Sequence, residues 1–477
     1  MWQAFVDNTT LHGVRYVFKK RHILTRLIWF VLLLTSGGFY IFTVYTAVVT
    51  YFDRPINTVV SRKNVEGMDF PAVTICPQND FAKSKLYMTD DNPLFASTGL
   101  NISACAVTSK VRGDRPCGWS LLCALPEFQA YLRPAIPNCT RQYSNDLWSE
   151  IQKSLHYIDK EVMYRYFSQE LDFLIGPACS FKKNIHCSAR DFVPLETKWG
   201  KCYTFNSGKN DKIKRVNSAG ISFGFAVILD VQREEYSFGK LSEGFKVVIH
   251  KQGEFIDEWE GINVGPGQHA AIVLSEKRYK NLGKPYSTNC TKKNLKTFDT
   301  YTTAGCLFEC EAEMIIKDCN CRPSGYKGKV PEMHACVTEE QVDCVSKVLV
   351  NSKSCECEVP CYQTKFSTEV SYTKFPNPGM AKLLQLQGYN RDFQYQRDNL
   401  LLLQVGFKSL SYEMQEQRPA YDINSLFGDI GGSMGLFLGC SLLTIFEFFD
   451  FLISLLTRRR NRRFPHPMSV EEAPKNQ

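Results

Sequence analysis

The chain has 477 residues, 44% hydrophobic and 22% charged, with a formal net charge of +8. Nine cations beside its two apolar runs outnumber that whole excess, so the charge reads as cytosolic flanks facing anionic lipid and excludes a nucleic-acid surface. Nineteen cysteines exclude a reducing compartment for most of the chain, because thiols at that density persist as disulfides only in oxidising surroundings.

In chain order, Lys19, Lys20, Arg21 and Arg26 precede the first apolar run, Leu27 to Val49. Its 23 uncharged residues exceed the roughly 20 that a bilayer demands at about 1.5 Å rise each, and predict a transmembrane helix. No small-residue cleavage site precedes Tyr51, Phe52 and Asp53, so the run is expected to stay as a signal anchor. The second run, Leu426 to Leu456, is followed by Arg458, Arg459, Arg460, Arg462 and Arg463. The positive-inside rule then puts both termini in the cytosol and the loop between the runs outside. The predicted segments are a cytosolic stretch 1–26, a span 27–49, an extracellular domain 50–425, a span 426–456 and a cytosolic tail 457–477. Eighteen of the nineteen cysteines lie in that loop, which supports the same topology.

Alternation and β-branched content predict strands at 70–75, 220–231, 245–250 and 269–274. Apolar spacing of three to four predicts helix across about 145–175, at 305–318 and near 380–390. The fold class is thus an α+β membrane protein, in which two transmembrane helices flank a large disulfide-rich, β-containing ectodomain. The tail after Arg463, with Pro465, Pro467 and Pro474, reads as disordered.

Ten cysteines fall between Cys290 and Cys361, and an even number packed so tightly reads as a ladder of disulfides. The rival is zinc, prompted by Cys319-Asn320-Cys321 and Cys355-Glu356-Cys357, but the oxidising side favours disulfides and no C-x2-C pair is present. Neither a metal nor a cofactor is expected. Asn101, Asn138 and Asn289 begin N-x-S/T sequons in the outer loop. Within the second run Asp429, Glu447 and Asp450 are candidate functional residues, because a carboxylate inside a span is costly unless it meets water, protein or the interface.

These residues carry a resemblance. The stretches at 11–14, 70–77 and 200–207, the cysteine block from Cys290 to Cys361 and the segment 427–451 resemble, in order, the epithelial sodium channel, degenerin and acid-sensing ion channel superfamily, nearest its acid-sensing or peptide-gated members. The resemblance implies a homotrimer, or a heterotrimer with related subunits, each with finger, thumb, palm, knuckle and β-ball. It also implies the pairs Cys76–Cys202, Cys179–Cys187, Cys290–Cys361, Cys306–Cys357, Cys310–Cys355, Cys319–Cys344 and Cys321–Cys336. Cys105, Cys117, Cys123 and Cys139 exceed the acid-sensing pattern and leave three pairings open.

The resemblance further implies a ligand-gated, amiloride-sensitive, sodium-selective channel of the plasma membrane. Gly439, Cys440 and Ser441 match its selectivity belt, where small side chains let carbonyls meet the permeating sodium ion. Gly428 and Asp429 match the outer gate, with Gly432 one turn further in, while Glu447 and Asp450 would form acidic rings below the belt. His12 and Gly13 match a cytosolic gating motif, Tyr51 and Tyr286 an aromatic joint, and Glu234 with Glu235 the paired acids of an acid-sensing pocket. Two departures bear on the signal. Lys329 stands where an acid is expected before Pro331, and Asp53-Arg54-Pro55-Ile56 replaces a histidine pair, so the extracellular ligand is expected to be a proton or a neuropeptide. The competing classes are a membrane-tethered receptor or adhesion protein, which predicts a uniformly apolar second run, and an ectoenzyme, for which no nucleophile elbow, H-E-x-x-H or phosphate loop is present.

Overall fold

The computed structural model describes residues 6, 9, 11, 13–18, 22–88, 110–125, 139–153, 160–171, 175–197, 199–209, 212–237, 241–256, 261–326, 333–350 and 355–463. The chain divides into two compact units, one of Met1–Thr58, Pro285–Ser287 and Gln417–Gln477, the other of Val59–Lys284 and Thr288–Glu416.

The larger unit is built on two large sheets and a two-stranded one, in which β2 (Met68–Asp69) pairs with β8 (Arg215–Val216). One has seven strands, with β4 (Ile175–Phe181), β5 (Ile185–His186), β9 (Phe225–Asp230), β12 (Gln268–Lys280), β13 (Tyr362–Lys374) and β14 (Leu400–Pro419) in the order β13-β12-β14-β9-β4-β5, and β1 (Ile56–Asn64) on β14. The other has the order β11-β10-β3-β7-β6, from β3 (Ala72–Pro77), β6 (Phe192–Thr197), β7 (Gly200–Phe205), β10 (Phe245–His250) and β11 (Ile262–Val264). Every residue of β3 is buried, as expected of a central strand whose sequence reads apolar nearly throughout. Phe70, Phe205, Phe225, Phe245 and Phe407 are fully buried in one core, and stacking of Phe205 on Phe225, with centroids 4.3 Å apart, is one of its closest aromatic contacts.

The strand predicted at 220–231 begins only at Phe225. Gly220 takes a left-handed φ of 107°, and a short 3-10 turn, Ile221–Phe223, follows. A Cβ on Gly224 would lie 1.9 Å from the Val405 carbonyl oxygen, so the turn presses its backbone against β14 where only glycine fits. After the short helices α3 (Lys83–Leu86) and α4 (Cys117–Ala124), the helix predicted across 145–175 is two helices, α5 (Arg141–Lys153) and α6 (Lys160–Phe167), and by Ile175 the chain is strand β4.

The helix predicted at 305–318 is α7 (Thr303–Cys319). It is capped by Thr302, whose Oγ1 accepts from the Gly305 amide, and ended by Asn320 in the left-handed region. Its partner is α8 (Glu339–Val350). The buried Glu309 of α7 accepts the amide hydrogens of Lys296 and Thr297 at 3.0 and 2.5 Å, tying the preceding loop to the helix. Helix α9 (Pro378–Leu386) begins with proline after the cap Asn377, and α10 (Phe393–Asn399) follows.

Eight disulfides join described cysteines. Cys290–Cys361, Cys306–Cys357, Cys310–Cys355, Cys319–Cys344 and Cys321–Cys336 have sequence separations of 71, 51, 45, 25 and 15, so each lies nested within the one before. This nesting makes a ladder, whose inner rungs staple α7 to the segment that contains α8. Cys76–Cys202 and Cys179–Cys187 complete the seven pairs named above. Of the four additional cysteines Cys123 pairs with Cys139, Cys117 is disulfide-bonded as well, and Cys105 lies outside the described residues. Arg322, just after α7, meets Glu161 of α6 at 3.1 Å, and the same carboxylate accepts from the Gly325 amide at 2.7 Å.

The smaller unit holds the long apolar helices. Helix α1 (Val14–Phe18) precedes α2 (Ile23–Asp53), a 31-residue helix that contains an 18-residue stretch of mean hydropathy 2.0 and of which Ala47 alone is buried. Near the other end, α11 (Ile423–Leu438) and α12 (Leu442–Arg463) meet at a bend of 74°. These two are long and apolar enough to cross a bilayer only if taken together. The expected single helix over 426–456 is therefore broken, at residues 439–441.

Candidate functional site

The break arises from the local sequence. Gly439 caps α11 in the left-handed region, φ 60° and ψ 26°, and its amide still reaches the Gly435 carbonyl at 3.0 Å. Ser441 opens α12: its amide donates to Thr444 Oγ1 at 3.1 Å and its carbonyl accepts the Thr444 amide at 3.0 Å. Between them Cys440 is the single free cysteine among the described residues. Three small residues thus form a non-helical link, at which the Ser441 amide leaves the regular ladder for a side-chain partner.

Above the break, Gly428, Gly432, Gly435 and Gly439 recur at spacings of four, three and four, one face of a helix. A Cβ at Gly428 or Gly432 would meet no atom within 4 Å, so within this chain the face is bare at these two positions. Asp429 is exposed, and its Oδ2 accepts the Tyr421 hydroxyl at 2.6 Å. Below the break Glu447 and Asp450 share a face of α12 at a spacing of three, with Glu447 half-buried and Asp450 exposed. The second apolar run is therefore interrupted in shape as well as in charge.

The amino-terminal residues come to the same helices. Gly13 has a left-handed φ of 89°, which favours glycine, and a Cβ there would crowd the Leu33 side chain of α2 at 3.1 Å. Thr9 Oγ1 donates to Glu447 Oε2 at 3.5 Å, and the Tyr16 ring stacks on Trp29 at 4.6 Å. His12 lies outside the described residues. The aromatic joint is not a ring contact here. The Tyr51 ring meets Phe52 and lies under the Arg54 guanidinium at 4.2 Å, and no ring contact joins it to the half-buried Tyr286 among the described residues.

In the larger unit, Glu234 and Glu235 sit on a 3-10 turn, Arg233–Glu235, but do not share a partner. Glu235 accepts from the Ser84 amide at 2.8 Å, whereas Glu234 accepts from the Tyr395 hydroxyl at 3.1 Å. The group that sequence reasoning missed is Asp230, six per cent exposed at the end of β9. Its Oδ2 accepts from Tyr389 at 2.6 Å and from Tyr395 at 3.3 Å, and its Oδ1 accepts from the Gln232 amide at 3.0 Å. Burial holds the Asp230 carboxyl above its ordinary value and the nearby Glu234 charge adds to this, against the hydrogen bonds it accepts. Arg391 stands over the Tyr395 ring at 4.5 Å, and Arg233 is engaged by Glu243 and Asp398. The one available signal was an aspartate closing the apolar run Phe225 to Leu229.

Asn289 is half-buried, with a left-handed φ of 43°; its Nδ2 donates to Glu358 Oε1 at 2.9 Å, and Thr291 of the same sequon is buried. The folded chain therefore holds this acceptor amide in a hydrogen bond. Asn101 and Asn138, like Lys329 and Pro331, fall outside the described residues.

Residues 5–451 match the amiloride-sensitive sodium channel family. The chain is 31% identical to acid-sensing ion channel 2 of Rattus norvegicus, over 96% of this chain and 87% of that protein. It is 30% identical to acid-sensing ion channel 1 of Gallus gallus, over 97% and 85%, and 30% identical to acid-sensing ion channel 1B of Danio rerio, over 95% and 77%. A solved proton-activated chloride channel aligns with a TM-score of only 0.33 at 8% identity, too remote to support any argument. The chain belongs to the amiloride-sensitive sodium channel family.

Proposed function

We propose that this chain is a subunit of a sodium-selective, amiloride-sensitive cation channel of the plasma membrane, opened by an extracellular signal. Helix α2 and the α11–α12 pair are its two spans, both termini are cytosolic, and the disulfide-rich unit faces outside. The observation that carries the reading is the position of the helix break. In a chain of this family, the 74° bend falls on Gly439, Cys440 and Ser441, where a backbone that departs from the helix and minimal side chains suit replacement of part of a sodium ion's water shell.

Two spans from one chain cannot enclose a pore, so three copies, or this chain with relatives, gather their second spans around an axis. The bare glycine face at Gly428 and Gly432 then permits the close approach that shuts the path, with Asp429 beside it. Glu447 and Asp450 repeat around the axis as acidic rings that concentrate cations and repel anions. His12 and Gly13 act in gating from the cytosolic side.

The signal is a rise in proton concentration. The relatives are named as acid-sensing channels, and Asp230 and Glu234 share one phenol between two carboxylates. Lys329 and the missing histidine pair favour a second reading, opening by a neuropeptide. Expression of the chain in oocytes, followed by acid steps and a peptide panel, tests both readings. An inward sodium current blocked by amiloride is expected. An anion-selective current, or surface protein silent to every stimulus alone and with related subunits, would count against the channel.

A further inference from the structure

The helix break leaves the Phe437 carbonyl without its usual donor. In an unbroken helix the Phe437 carbonyl accepts from the amide four residues on, that of Ser441. That amide is instead spent on Thr444 Oγ1 at 3.1 Å. In hydrocarbon no water replaces it, and an unpaired carbonyl there costs several kcal/mol. Helix α2 supplies the missing donor: Ser36 Oγ donates to the Phe437 carbonyl oxygen. Three residues on, Phe39 stacks its ring on that of Phe437, with centroids 6.1 Å apart and planes 15° from parallel. One polar and one apolar contact thus hold the last turn of α11 against α2, two residues before the link begins.

We propose that Ser36 is a positioning residue for the ion-selective belt. By fixing the Phe437 carbonyl it sets the direction in which the chain enters Gly439, Cys440 and Ser441. The hydroxyl touches no ion; it acts through the backbone it holds. Alanine at this position leaves the carbonyl unpaired, and it must turn towards water in the conduction path or towards another donor. Threonine keeps the hydroxyl, whose partner in a helix is otherwise the carbonyl three or four residues back. The inference rests on the pore reading above, and its test separates the two.

The full-length chain is expressed in oocytes as wild type, Ser36→Ala, Ser36→Thr and Ser441→Ala, with surface protein quantified by biotinylation. Reversal potentials in sodium and then potassium solutions give the permeability ratio. Ser36→Ala is expected to lower the sodium preference about tenfold, the scale of one hydrogen bond, and Ser36→Thr to keep it. A second readout needs no current: the rate at which an aqueous maleimide modifies Cys440 in the surface protein, which should rise in Ser36→Ala and not in Ser36→Thr. If Ser441→Ala alters selectivity while Ser36→Ala changes neither the ratio nor the labelling, this proposal fails and the pore reading stands. If neither Ser441→Ala nor Ser36→Ala alters selectivity and Cys440 is never labelled, the pore reading itself fails.

Discussion

Tyr389 donates its phenolic hydrogen to Asp230 across 2.6 Å, placing a buried carboxylate on a partner that carries no charge. Tyr395 has one hydrogen for two acceptors, Asp230 at 3.3 Å and Glu234 at 3.1 Å. A further proton completes the set, because a protonated Asp230 can donate to the Tyr395 oxygen while Tyr395 donates to Glu234. The folded Asp230 carboxyl lies above its ordinary value of 3.8. The folded state therefore binds more protons than the unfolded one just above that pH, and this group's contribution to stability falls as pH rises through the window. Asp230→Asn should remove that fall. Thermal unfolding of the detergent-solubilised protein from pH 4 to 7 checks it: the variant should gain on the wild type as pH rises, and parallel curves would contradict the assignment.

His250 behaves in the opposite sense. It is buried at the end of β10, its Nδ1–H donates to the Lys251 carbonyl at 2.9 Å, and its Nε2 accepts from Thr74 at 2.8 Å. Burial pushes the imidazole down from 6.5 to about 4. Between these values the unfolded chain holds the extra proton, so stability falls as pH drops through the window. The loss from this residue is about 3 kcal/mol at 1.36 kcal/mol for each pH unit. Unfolding midpoints of wild type and His250→Gln should converge as pH falls from about 6.5 towards 4, since the variant has no such proton to gain.

Gly224 tests the packing of the larger unit. Its alanine variant would put a methyl group 1.9 Å from the Val405 carbonyl oxygen. Backbone cannot yield as a side chain does, so the cost should be about 3 kcal/mol or more. Surface biotinylation should show a severe loss of mature protein, and normal export would contradict the register of β9 on β14.

These elements differ in how far they could be read from sequence. The strands at 72–77, 245–250 and 268–280 and the helix at 303–319 announce themselves through apolar runs, alternation or spacing. Residues 220–224 look like strand because glycine leaves no trace of the close approach to β14 that bends the chain. The second apolar run reads as one span because hydropathy is blind to direction. The turn at Gly439 needs a left-handed residue, an orphaned carbonyl and a capping hydroxyl at Thr444, none of which has a periodic signature. Asp230 was hidden for a similar reason, since its partners Tyr389 and Tyr395 lie about 160 residues away in the chain.

Gly428 tests the expected closure. A Cβ there meets no atom of its own chain, so Gly428→Phe should fold and reach the surface nearly as the wild type does. The bulk would act only where copies converge on the axis. Resting, amiloride-sensitive current should rise several-fold, and an unchanged resting conductance at equal surface density would contradict a gate at this position.

The central claim is that the link at residues 439–441 meets hydrated sodium, and the most direct test is the reversal potential of the expressed channel under bi-ionic conditions. With sodium outside and potassium inside, the account predicts a positive reversal potential that moves towards zero when Ser441 is replaced by a larger side chain. A potential that follows chloride, or one indifferent to every substitution at Gly439, Cys440 and Ser441, would contradict it.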